Sequence, residues 1–82
     1  MDELISKLKS AGLVDEIGNI VLERYSGGYQ AVDQSTFRTM FGEAVETARS
    51  EDEGDIYSAL VSADGGRGYS RFFDAWREEG II

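Results

Sequence analysis

Six carboxylates crowd the stretch from Glu43 to Asp55: Glu43, Glu46, Glu51, Asp52, Glu53 and Asp55, with Arg49 the one base among them. Carboxylates at this density can do three things. They can ligate a hard cation, pair as general acid and base, or present negative charge to a cationic partner. The cation reading lacks its spacing. An EF-hand loop takes Gly at its sixth position and Glu at its twelfth, whereas Gly54 is fourth from Glu51. The acid–base reading lacks partners. The chain has no histidine and no cysteine, which removes the usual neutral-pH base, the thiolate nucleophile and the zinc-thiolate site. The expectation is a non-enzymatic protein with no metal site and no cofactor. The third use remains. Carboxylates rising along a helix stand several ångströms apart, the scale on which phosphates repeat along nucleic acid.

Two other motifs carry weaker chemistry. Gly65-Gly66-Arg67-Gly68 is Gly-rich like a phosphate cradle, but it lacks the Lys-Ser/Thr ending and follows no strand, so it reads as a flexible helix–helix turn. The aromatics Tyr69, Phe72, Phe73 and Trp76 interleave with Arg67, Arg71 and Arg77, as in some single-strand nucleic-acid binders. Their helical spacing instead suits a core. Phe72 and Trp76 belong inside, and Phe73, at the stripe's edge, is the candidate for an exposed contact.

The whole chain repeats the local bias. Sixteen acids face eight bases, for a net charge of −8 over 82 residues. Such a surface repels phosphate backbones and anionic membranes and attracts basic proteins. Acidity with few lysines (Lys7 and Lys9) also has an environmental reading, as adaptation to a salty cytoplasm. The longest run of large apolar residues is Ile20-Val21-Leu22, too short to span a bilayer. The Met-Asp-Glu start is no signal peptide, so a cytoplasmic protein is expected. The length suits a single domain over residues 1–82.

The elements that must position the carboxylates follow from periodicity. Leu4, Ile5, Leu8 and Ala11 make one face of a first helix, with Asp2 as its N-cap. Gly12 stands where a left-handed residue ends a helix, and Leu13 can close over its last turn. Residues 13–32 read as a small three-stranded antiparallel meander: Leu13–Ile17, Ile20–Tyr25 and Tyr29–Val32. Gly18-Asn19 and Ser26-Gly27-Gly28 are its turns. A second helix, capped by Asp33 or Ser35, carries Phe37, Met40, Phe41, Ala44, Val45 and Ala48 on one stripe, with Glu43 and Glu46 on the outside. A third helix starts from Asp52, with Glu53 and Asp55 in its first turn. It turns Ile56, Tyr57, Leu60 and Val61 inward and ends at Gly65. A fourth runs from about Tyr69 to Glu79 and stops at Gly80. The fold class is α+β: an N-terminal helix, the meander, then three helices. The alternative is a small all-α bundle.

This layout resembles that of small phage-encoded anti-CRISPR inhibitors, which are similar in size and acidity. The likeness lies in element order, with no shared motif, so no residue role is carried over. It implies a nucleic-acid mimic that occupies a nuclease or another nucleic-acid-binding protein, of the anti-CRISPR or anti-restriction type. The partner would be a basic protein surface, met by Glu43, Glu46, Glu51, Asp52, Glu53 and Asp55 with Tyr25 or Tyr29 as aromatic anchors. Direct nucleic-acid binding and membrane binding are not expected. Two other classes stand beside it. One is a structural, assembly or adaptor protein, binding through Phe73, Trp76 and Ile81-Ile82. The other is a winged-helix regulator, whose wing would span Glu23 to Tyr29.

Overall fold

A computed structural model describes residues 1–22, 31–51 and 54–82. Its elements run α1 (Asp2–Ser10), β1 (Ile20–Val21), β2 (Ala31–Val32), α2 (Gln34–Ser50), α3 (Ile56–Asp64) and α4 (Ser70–Glu78). The four helices lie close to their expected places. The sheet does not.

β1 and β2 pair antiparallel with Ile20 opposite Val32 and Val21 opposite Ala31. The expected first strand shrinks to one bridge, Val14 to Ile20. Asp15 explains why. Its Oδ1 accepts the N–H of Ile17 at 3.1 Å and of Asn19 at 2.8 Å. That side chain closes a tight loop over the backbone donors a Leu13–Ile17 strand would need. Among the described residues there is therefore a two-stranded sheet and no meander, and the layout likeness that depended on the meander loses its footing. Tyr25, Tyr29 and the predicted wing lie outside the described residues. The fold is mostly helical, with a small antiparallel sheet.

The helix ends follow local chemistry. α1 and α4 finish alike. The Leu13 N–H reaches the Leu8 carbonyl at 2.9 Å and the Ile81 N–H reaches Trp76 at 2.8 Å. Gly12 and Gly80, at φ 76° and 79°, supply the left-handed step between. Asp33 caps α2, accepting the Thr36 N–H at 3.0 Å. Asp2 is not the cap of α1: Met1 holds that position without a side-chain bond, and Asp2 is the first helical residue. The cap of α3 is Asp55, which accepts from Tyr57 N–H at 3.2 Å and Ser58 Oγ at 2.8 Å. α3 thus begins at Ile56, later than expected.

The core gathers from all four helices and the sheet: Leu4, Leu8, Leu13, Ile20, Val32, Phe37, Phe41, Val45, Leu60, Phe72, Phe73 and Trp76 are all buried. Phe73 meets Phe41 edge-on with ring centroids 5.2 Å apart. It is fully buried, so it is not an exposed contact. Helical spacing placed it at the stripe's edge, but α4 lies with both Phe72 and Phe73 against the core. Trp76 and Ile81 are buried too, and Ile82 is half-buried, which removes the apolar contacts that the assembly reading required. The turn after α3 is also tied down. Asp64, 3% exposed, accepts the N–H of Gly68 at 3.3 Å and of Tyr69 at 3.1 Å. No helix among the described residues is long and apolar enough to cross a membrane.

Candidate functional site

α2 sorts its side chains into three sectors, and this sorting divides the acidic residues. At about 100° per residue, Phe37, Phe41, Val45 and Ala48 form the buried sector. Arg38, Glu46 and Arg49 follow on one side of it; Met40, Glu43, Ala44 and Thr47 follow on the other, with Glu51 just beyond the helix end. Glu43 and Glu46 stand about 60° apart around the helix by the same arithmetic, and that arc gives them different neighbours.

On the first side lies α1. Its N-terminal turn spans α2: Asp2 meets Arg38 at 2.8 Å and Glu3 meets Arg49 at 3.2 Å. The α-amino group of Met1 donates to Glu46, which also lies 3.6 Å from Arg49. Both carboxylates respond. The hydrogen bond from Arg38, with its charge, holds Asp2 below the usual carboxylate range, and the α-amino hydrogen bond does the same to Glu46. Glu46 is therefore part of the α1–α2 seam and is not a free charge for a partner.

On the second side α2 and α3 leave an open groove of about 830 Å³. Its floor is made of small residues, among them Ala44 and Ala48 from α2 and Ala59 and Ala63 from α3. Glu43, Glu51 and Asp55 also line it, and no Lys or Arg is among the described residues that do. The carboxylates of Glu43 and Glu51 make no hydrogen bond or ion pair with a described residue, and both residues are exposed. Asp55 shares its carboxylate with the α3 N-terminus. The chain enters α3 through Gly54, which passes so close to α2 that an added Cβ would sit 1.8 Å from the Ala48 carbonyl oxygen.

Of the acidic residues singled out from the sequence, the structure thus brings Glu43, Glu51 and Asp55 together and sets Glu46 apart. Asp52 and Glu53 lie outside the described residues. Among the described residues no three or more acids are grouped to hold a metal ion. Searches against protein-family models, curated proteins and solved structures found no match.

The groove floor was missed, although a signal for it exists. Asp55, Ser58, Ala59, Ser62 and Ala63 recur at i, i+3, i+4, i+7 and i+8. This is a helical face of small residues, beside the apolar face of Ile56, Leu60 and Val61.

Proposed function

We propose that this protein is a non-enzymatic binding module that presents the α2–α3 side to a basic surface of another protein. The observation that carries the reading is the unequal treatment of acids around α2. Asp2, Glu3 and Glu46 have cationic partners in the chain; Glu43 and Glu51 have none among the described residues. Unpaired carboxylates beside a groove favour a cationic partner and speed its approach. A protein that normally holds nucleic acid offers such a surface. A nuclease or other nucleic-acid-binding protein, blocked by mimicry of its ligand, is the specific form of this proposal. It now rests on charge alone.

Affinity capture from cell lysate at low and at molar salt tests it, with wild type and the Glu43→Lys/Glu51→Lys variant as baits. The expected result is a captured basic protein that salt releases and the variant fails to retain. Capture that resists salt and ignores charge reversal would sink the proposal and favour an assembly role. A gel shift with duplex DNA tests the regulator reading, and no retention is expected.

A further inference from the structure

We infer that the occupant of the α2–α3 groove is a basic amphipathic helix of about three turns contributed by a partner protein. The inference rests on the reading that this face meets a cationic protein, and it specifies the shape of what binds.

Length comes first. From Met40 to Glu51, the residue that follows the end of α2, the groove's α2 wall covers about 16 Å at 1.5 Å per residue. A helical segment of roughly eleven residues matches that span. The walls decide between a helix and an extended peptide. Both walls are α-helices, whose N–H and C=O groups bond within their own element. A peptide added as a strand needs main-chain partners at an exposed sheet edge, and a polyproline segment needs an aromatic-lined groove; these walls offer neither. A helix arrives with its backbone already satisfied.

The floor sets the side chains. Between Ala44 and Ala48 of α2 and Ala59 and Ala63 of α3 the floor carries only methyl side chains, and Met40 closes one end of it. Residues of Leu, Met or Phe size on one stripe of an incoming helix would fill it, at i, i+3 or i+4, and i+7. Charge then sets the flanks. Glu43 and Glu51 both line the groove, with Glu51 just past the end of α2 and about 12 Å along its axis from Glu43. Lys or Arg at i and i+7 or i+8 on the occupant's flank would meet both. With Asp55 at the head of α3, the occupant carries its cations along its edges and its apolar stripe between them. A uniformly basic segment would match the rim and leave the floor empty.

The test uses a synthetic peptide of about 14 residues, labelled for fluorescence anisotropy. It bears Leu at i, i+3, i+7 and i+10 with flanking lysines. A scrambled peptide of the same composition is the control, and far-UV circular dichroism checks the fold of every variant. The amphipathic peptide is expected to bind at least about tenfold tighter than the scrambled one, a difference of about 1.4 kcal/mol. Its binding should raise helical content. Thr47→Trp/Ser62→Trp, which fills the groove from two exposed positions and leaves every charge in place, should weaken it by a similar factor. Equal affinity for both peptides, undiminished binding to the filled groove, or no binding overturns the helix proposal. If Glu43→Lys/Glu51→Lys abolishes binding while the filled groove does not, the acidic-surface reading stands and the helix proposal falls.

Discussion

The Trp76 indole N–H is buried without a hydrogen-bond partner among the described residues, while its ring packs 5.4 Å from Phe73 and 6.1 Å from Phe37. A buried unpaired donor costs about 1–3 kcal/mol, which offsets part of what the ring's burial contributes. Trp76→Phe removes the orphan donor along with some volume and is expected to stay within about 1.5 kcal/mol of wild type. Trp76→Ala should lose about 3–5 kcal/mol. Chemical denaturation checks both, and a Phe variant that loses well over about 1.5 kcal/mol would show that relief of the unpaired N–H offsets little. Acid titration reads a second set of residues. Asp2 and Glu46 are both held below the ordinary carboxylate range in the fold. Their contribution is complete above the unfolded value, about 4, and is lost as pH falls through the lowered folded values. Thermal unfolding followed against pH should therefore show a shallower acid limb for Asp2→Asn/Glu46→Gln than for wild type. Parallel limbs would remove these pairs from the account.

At the scale of elements, the joints carry the prediction. Asp64 satisfies two backbone N–H groups ahead of α4 from a buried position. Asp64→Ala should cost about 1–2 kcal/mol, in line with lost helix caps, and Asp64→Asn distinctly less. An Ala variant as stable as wild type would mean the turn holds without its carboxylate. Gly54→Ala should also destabilise, by about 1–3 kcal/mol, because its Cβ would collide with the backbone of Ala48. The same joints explain what the sequence could reveal. The Gly12-Leu13 and Gly80-Ile81 endings were legible because a left-handed step and its hydrophobic closure are local. The apolar stripe of α2 was legible for the same reason. The failed strand at residues 13–17 was a competition between two local signals, strand-forming side chains and the Asp15 loop, and composition does not decide such a contest. The fate of Glu46 needed α1 in place. The Glu46–Arg49 pair is visible as i, i+3, but the α-amino group arrives from 45 residues away. The groove needed two helices side by side, which no single periodicity contains.

For the whole molecule, one core links every helix to the sheet, so unfolding should be a single event. Trp76 emission reports the centre of that core and far-UV circular dichroism reports the helices. Their denaturant transitions are expected to coincide. Separate midpoints would mean that α1, held to α2 by Arg38–Asp2, Arg49–Glu3 and the Met1–Glu46 contact, melts by itself. That seam has a further consequence at long range. With cations paired on one flank of α2 and, on the other, Glu43 and Glu51 without a cationic partner among the described residues, these charges set up an electric dipole across that helix. A charged partner would exert a torque on the molecule as well as an attraction, turning it during diffusion so that the α3 flank leads. Fewer collisions would then be spent in the wrong orientation.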